Sequence, residues 1–156
     1  MIRDSLALSK EPHNSLYSGI IKAMDAQEKY EYWLESAEYD LTTAKAMLDS
    51  GRWLYVVFMC QQAIEKNIKG LYILYLDDNV PRTHNIGKLF YFFEEQISKD
   101  VPEDYYQFFD RLTSFYLQGR YTEYKQKVSA LVNKQEAEII YSQTKEVFQW
   151  LLTLRP

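Results

Sequence analysis

Cysteine is almost absent from this chain: Cys60 stands alone, which rules out an intramolecular disulfide and fits a reducing compartment. Its place on an apolar helical face suits a small core residue rather than a nucleophile. Histidine is nearly as scarce. Neither His13 nor His84 has a second histidine, a cysteine or a spaced carboxylate pair nearby, so no zinc site is expected and no cofactor is implied. Only five glycines and four prolines punctuate the sequence, and no glycine-rich turn follows a strand-like run, which removes the usual phosphate-loop motifs. No motif points to a serine triad. Apolar runs are short as well, none approaching the roughly 20 residues that span a bilayer. No basic stretch leads into an apolar segment near the start. The expectation is a cytoplasmic protein without a membrane partner.

What the chain does have is helical periodicity. Its 156 residues, 47% hydrophobic and 26% charged, are enough for one domain with a real core. The segments between the rare glycines and prolines repeat every three to four residues instead of alternating, so the fold class expected is all-α. A first helix over about Gln27–Leu48 carries Tyr30, Leu34, Ala37, Leu41, Ala44 and Leu48 along one seam, and Gly51 suits the left-handed position that ends it. A second helix runs from about Arg52 to Asp77, with Val57, Cys60, Ile64, Ile68, Leu71 and Tyr75 on its apolar face. Asn85 caps a third, which turns Ile86, Leu89, Phe90, Phe93 and Ile97 inward. Pro102 opens a fourth, continued by Tyr105, Phe108, Phe109, Leu112 and Tyr116. Gly119–Leu131 is either a loop or a further helix. Asn133 and Glu136 make a capping box for a last helix that buries Ala137, Ile140, Thr144, Val147, Phe148 and Leu151. Helices of this length and short turns predict an antiparallel up-and-down bundle of about five helices over residues 27–156. Residues 1–26 read as an arm, with a short helix near Tyr17–Met24.

The net charge of −4 argues against a general nucleic-acid coat, yet charge is unevenly spread. Between Glu94 and Asp110 six acids oppose Lys99 alone; between Gln118 and Lys134, Arg120, Lys125, Lys127 and Lys134 oppose only Glu123. Such opposed segments suit self-association or a local anion site. Most of the fourteen tyrosines fall at core spacing and are packing groups, although the basic surroundings of Tyr121 and Tyr124 suit base stacking. The second helix also carries CQQAIEKNIKG, in which Gln61, Glu65 and Lys69 form a polar stripe beside the apolar face, with Gln62 and Lys66 adjoining. Glu65 and the lysines are expected to make inter-helix or inter-subunit contacts; the alternative is that Lys66, Lys69, Arg82 or Arg120 meets a phosphate.

Arg52-Trp53 leading through Val57-Phe58 into this motif resembles the HEPN family, the higher eukaryotes and prokaryotes nucleotide-binding domain. Trp33 to Ala44 is similar to the family's first helix, Pro81-Arg82-Thr83-His84-Asn85-Ile86 to the turn that opens its third, and Leu112 to Arg120-Tyr121 to a segment ending in an Arg-Tyr pair. The resemblance spans about Gln27–Leu154. It implies a helical bundle that forms homodimers, pairs with a minimal nucleotidyltransferase in toxin–antitoxin modules, and holds a nucleotide or RNA in a polar groove. The ligand-binding candidates are then Lys66, Lys69, Arg82, His84, Arg120, Tyr121 and Tyr124. Many HEPN toxins are metal-independent ribonucleases with an Arg separated from a following His by several intervening residues. Here Arg120 has no histidine after it, and only Thr83 separates Arg82 from His84. The expectation is a noncatalytic module, with Arg82, His84 and Arg120 as the constellation of the ribonuclease alternative and a turn role for His84.

Overall fold

The computed structural model describes residues 23–119, 130 and 132–156. The arm before residue 23 with its expected helix, and most of the stretch expected as loop or helix over Gly119–Leu131, lie outside the described residues. Among the described residues there are five α-helices and no strand: α1 (Ala26–Asp49), α2 (Trp53–Tyr75), α3 (Ile86–Tyr91), α4 (Glu103–Gly119) and α5 (Lys134–Leu152). None of these helices is long and apolar enough to cross a membrane.

Local chemistry accounts for the ends. Asp25 Oδ1 accepts from Glu28 N at 2.8 Å while Glu28 Oε2 takes the Asp25 N–H at 2.9 Å, a reciprocal cap that starts α1. Its other end is a Schellman turn, in which Arg52 N donates to Met47 O and Gly51 N to Leu48 O. Gly51 sits at φ +72° there, a conformation that side chains with a Cβ rarely adopt. Asn133 and Glu136 form the expected reciprocal cap of α5, and all six residues expected inside that helix are buried.

α2 is the central element, in contact with every other helix. Antiparallel α1 lies against it so closely that a Cβ on Gly70 would meet the Tyr30 ring at 3.0 Å and Trp33 Cβ at 3.2 Å. Cys60 approaches Thr144 and the Tyr75 hydroxyl donates to Leu154 O, so α5 runs with α2. Pairs between α4 and α5, Tyr105 with Glu146 and Arg111 with Glu136, run in opposite directions. The four long helices therefore alternate up and down, with α3 in the crossover between α2 and α4.

The third helix differs from the expectation. It stops at Tyr91, and Glu94–Gln96 forms a 3-10 turn instead of a continuation to Ile97. Two adjacent aromatics must both reach α2: Phe92 meets Tyr72 edge-on at 6.0 Å and Phe93 stacks on Tyr75 at 5.3 Å. Neighbours in an α-helix point about 100° apart, and Phe93 leaves helical geometry at φ −123°, ψ 2°, which frees both rings to face α2. Phe93 is fully buried, as expected, but Ile97 only partly.

Candidate functional site

Gln61, Glu65 and Lys69 lie one turn apart on α2, as their spacing requires. The stripe was expected beside the core; the structure puts much of it inside. Gln61 is fully buried and Glu65 only 3% exposed, because the turn before α3 lies over them. A carboxylate at this depth must be paired. Glu65 Oε1 accepts from Lys69 Nζ at 2.6 Å, and Oε2 accepts from Gln61 Nε2 at 2.6 Å. Gln62 Nε2 in turn donates to Gln61 Oε1 at 2.7 Å. The same carboxylate lies 3.1 and 3.2 Å from His84 Nδ1.

His84 is held from several sides. Thr83 N donates to Pro81 O, and Asn85 N to Thr83 Oγ1, tightening the turn. Asn85 Oδ1 then caps α3 through Lys88 N at 2.9 Å, and Ile86 N donates to the buried Thr113 Oγ1 of α4 at 3.1 Å. The imidazole stacks on Tyr116 with 4.2 Å between ring centres and 27° between planes. An ionised Glu65 places the ring proton on Nδ1, which leaves Nε2 as the accepting nitrogen of a side chain 43% exposed. With that tautomer the arrangement can accept a hydrogen bond from a polar ligand at Nε2. Its net charge is zero with neutral His84, since Lys69 and Glu65 cancel.

Gln61, Gln62, Glu65, Lys69 and His84 are thus brought together. Lys66 is not among them. It turns to α1, where its Nζ lies 2.6 Å from Asp40 Oδ2. Arg82 is exposed on the turn two residues before His84. Arg120, Tyr121 and Tyr124 lie outside the described residues. Sequence reasoning placed Tyr116 only in the core and did not single out Trp33, whose ring lies 5.7 Å from Lys69 Nζ. No local pattern marks either role, since each contact joins residues distant in sequence. Cys60, assigned to the core, is fully buried next to Thr144, and burial pushes its thiol up to about 12.

The family model of the HEPN domain matches residues 30–154, which takes in α1 from Tyr30 onward, the whole of α2 to α5 and the His84 corner. The chain belongs to the HEPN family. Among solved structures, this HEPN chain is similar to TT1696 from Thermus thermophilus, at 25% identity and a TM-score of 0.69, covering 80% of this chain and 97% of that one. An archaeal HEPN homologue, ST0689, shares the fold at 22% identity and a TM-score of 0.63, over 81% and 98% of the two chains. No curated protein matches the sequence at a significant level.

Proposed function

We propose that this HEPN protein is a cytoplasmic, noncatalytic module that binds a nucleotide or RNA at the His84 corner. In this reading it works as a homodimer and pairs with a minimal nucleotidyltransferase in a toxin–antitoxin-like module. The observation that carries the binding site is the Glu65–His84 contact, which orients a half-exposed imidazole two residues after exposed Arg82. Arg82, His84 and, beyond the described residues, Arg120 supply the phosphate contacts, with Tyr121 and Tyr124 as stacking surfaces. Lys66 and Lys69 would contribute field more than direct contact, since carboxylates of the chain already hold them.

The same contact favours a second reading, a metal-independent ribonuclease. A histidine braced by a carboxylate is equipped for general acid/base work, with Arg82 or Arg120 stabilising phosphate charge. Binding without cleavage is preferred because the chain lacks the Arg-to-His spacing of the family's ribonucleases.

Calorimetry with ATP and a short single-stranded RNA, in chelator and with the RNA run on a gel afterwards, separates the two. The binding module should show salt-sensitive affinity that falls at least fivefold in Arg82→Ala and His84→Ala, with the RNA intact. Cleavage abolished by both His84→Ala and Arg120→Ala would establish the ribonuclease instead. The absence of binding to either probe would refute the ligand site.

A further inference from the structure

α1 carries a second surface, separate from the His84 corner. Tyr32, Glu35 and Tyr39 follow at intervals of three and four and share one face of the helix, with Glu38 beside them. Tyr32 is 53% and Tyr39 73% exposed, two of the five exposed aromatics among the described residues, and they stand on the same face. These side chains line a groove of about 640 Å³ that extends to Asp40 and Lys66. The Asp40–Lys66 ion pair cancels its own charge at 2.6 Å. Among the described residues no cation pairs with Glu35 or Glu38, so the groove carries two uncompensated negative charges.

Charge decides what can cover this face. An apolar partner would strand both carboxylates away from water. A second copy docked about a twofold axis would set the same carboxylates against themselves. Phosphate backbones are repelled. A cationic segment satisfies both features at once, and arginine does so better than lysine. Its guanidinium can bind a carboxylate bidentately while its plane stacks on a tyrosine, whereas an ammonium is a compact, strongly hydrated point charge. We propose that the α1 groove formed by Tyr32, Glu35, Glu38 and Tyr39 docks an arginine-bearing segment of a partner protein. Seven helical residues rise about 10.5 Å, so the two tyrosines match arginines about three residues apart on an extended chain.

The test uses fluorescein-labelled nona-arginine and nona-lysine peptides, followed by anisotropy in low and physiological salt. Variants are Glu35→Gln with Glu38→Gln, Tyr32→Leu with Tyr39→Leu, and, as a control of equal charge on another exposed region, Glu95→Gln with Asp100→Asn. Nona-arginine should bind the parent at least fivefold more tightly than nona-lysine. The carboxylate pair should lose at least tenfold and the control no more than twofold, and the tyrosine pair should abolish the preference for arginine. Equal losses in the groove and control variants would reduce the effect to general charge and overturn the proposal, as would equal binding of the two peptides by the parent. A change of mass in light scattering for the groove variants, with peptide binding intact, would assign the face to a second copy.

Discussion

Glu65→Ala removes a buried carboxylate that Lys69, Gln61 and His84 share, and its cost can be worked out from those partners. Breaking a buried ion pair by deleting one member costs about 3–5 kcal/mol, because the other charge is left desolvated. Lys69 is 12% exposed and lies 5.7 Å from the Trp33 ring centre, so it keeps partial compensation. The lower end, about 3 kcal/mol, is expected, a large share of the roughly 5–15 kcal/mol that holds a typical domain together. Glu65→Gln keeps the shape and loses the charge, and should cost about 2 kcal/mol. Replacing both partners, Glu65→Met with Lys69→Met, removes the stranded charge and should recover most of the loss. Urea unfolding followed by circular dichroism measures this, at one fixed protein concentration because assembly would shift apparent stability. With a slope of about 2 kcal/mol/M, the alanine midpoint should fall by about 1.5 M. A loss under about 1 kcal/mol for Glu65→Ala, or a double variant whose cost is the simple sum of the singles, would refute the idea that this pair is coupled and buried.

Gly70→Val should destabilise by at least about 2 kcal/mol in the same assay, since the added carbons meet the fully buried Tyr30 ring and Trp33, and this overpacking outweighs any gain in helix propensity. A neutral result would mean that α1 can retreat freely from α2. Thr113→Val preserves shape but leaves the buried Ile86 N–H without its acceptor, so about 1–3 kcal/mol should be lost. The imidazole signals of His84 in a proton–nitrogen spectrum should shift with it; an unmoved spectrum would show that α4 does not anchor the turn. Cys60 should resist a thiol reagent in the native protein and react on unfolding, and rapid native labelling would contradict its burial. Its thiol rises from an ordinary 9.0 to about 12 on folding, so the neutral form is favoured in the native state. Stability contributed by that preference is present below pH 9 and lost as pH rises towards 12, visible as a midpoint drop that Cys60→Ala reduces.

Much of the architecture was legible because its causes are local. Asn85 and Asn133 cap helices through backbone groups three residues on, Gly51 ends α1 by a conformation that needs no neighbour, and the α5 seam buries the residues that its spacing selects. The break after Tyr91 was not legible, because the pull on Phe92 and Phe93 comes from α2, some twenty residues earlier. In the candidate site, the Glu65–Lys69 pair follows from one helical turn, whereas three other outcomes do not. Glu65 is buried only because the turn carrying His84 folds over it, Lys66 leaves the cluster only because Asp40 lies opposite on α1, and Tyr116 reaches His84 only because α4 packs beside that turn. Periodicity says which residues share a face, through the fixed rotation of the helix. What lies against that face depends on how separate helices pack, and here that packing joined Glu65 to His84.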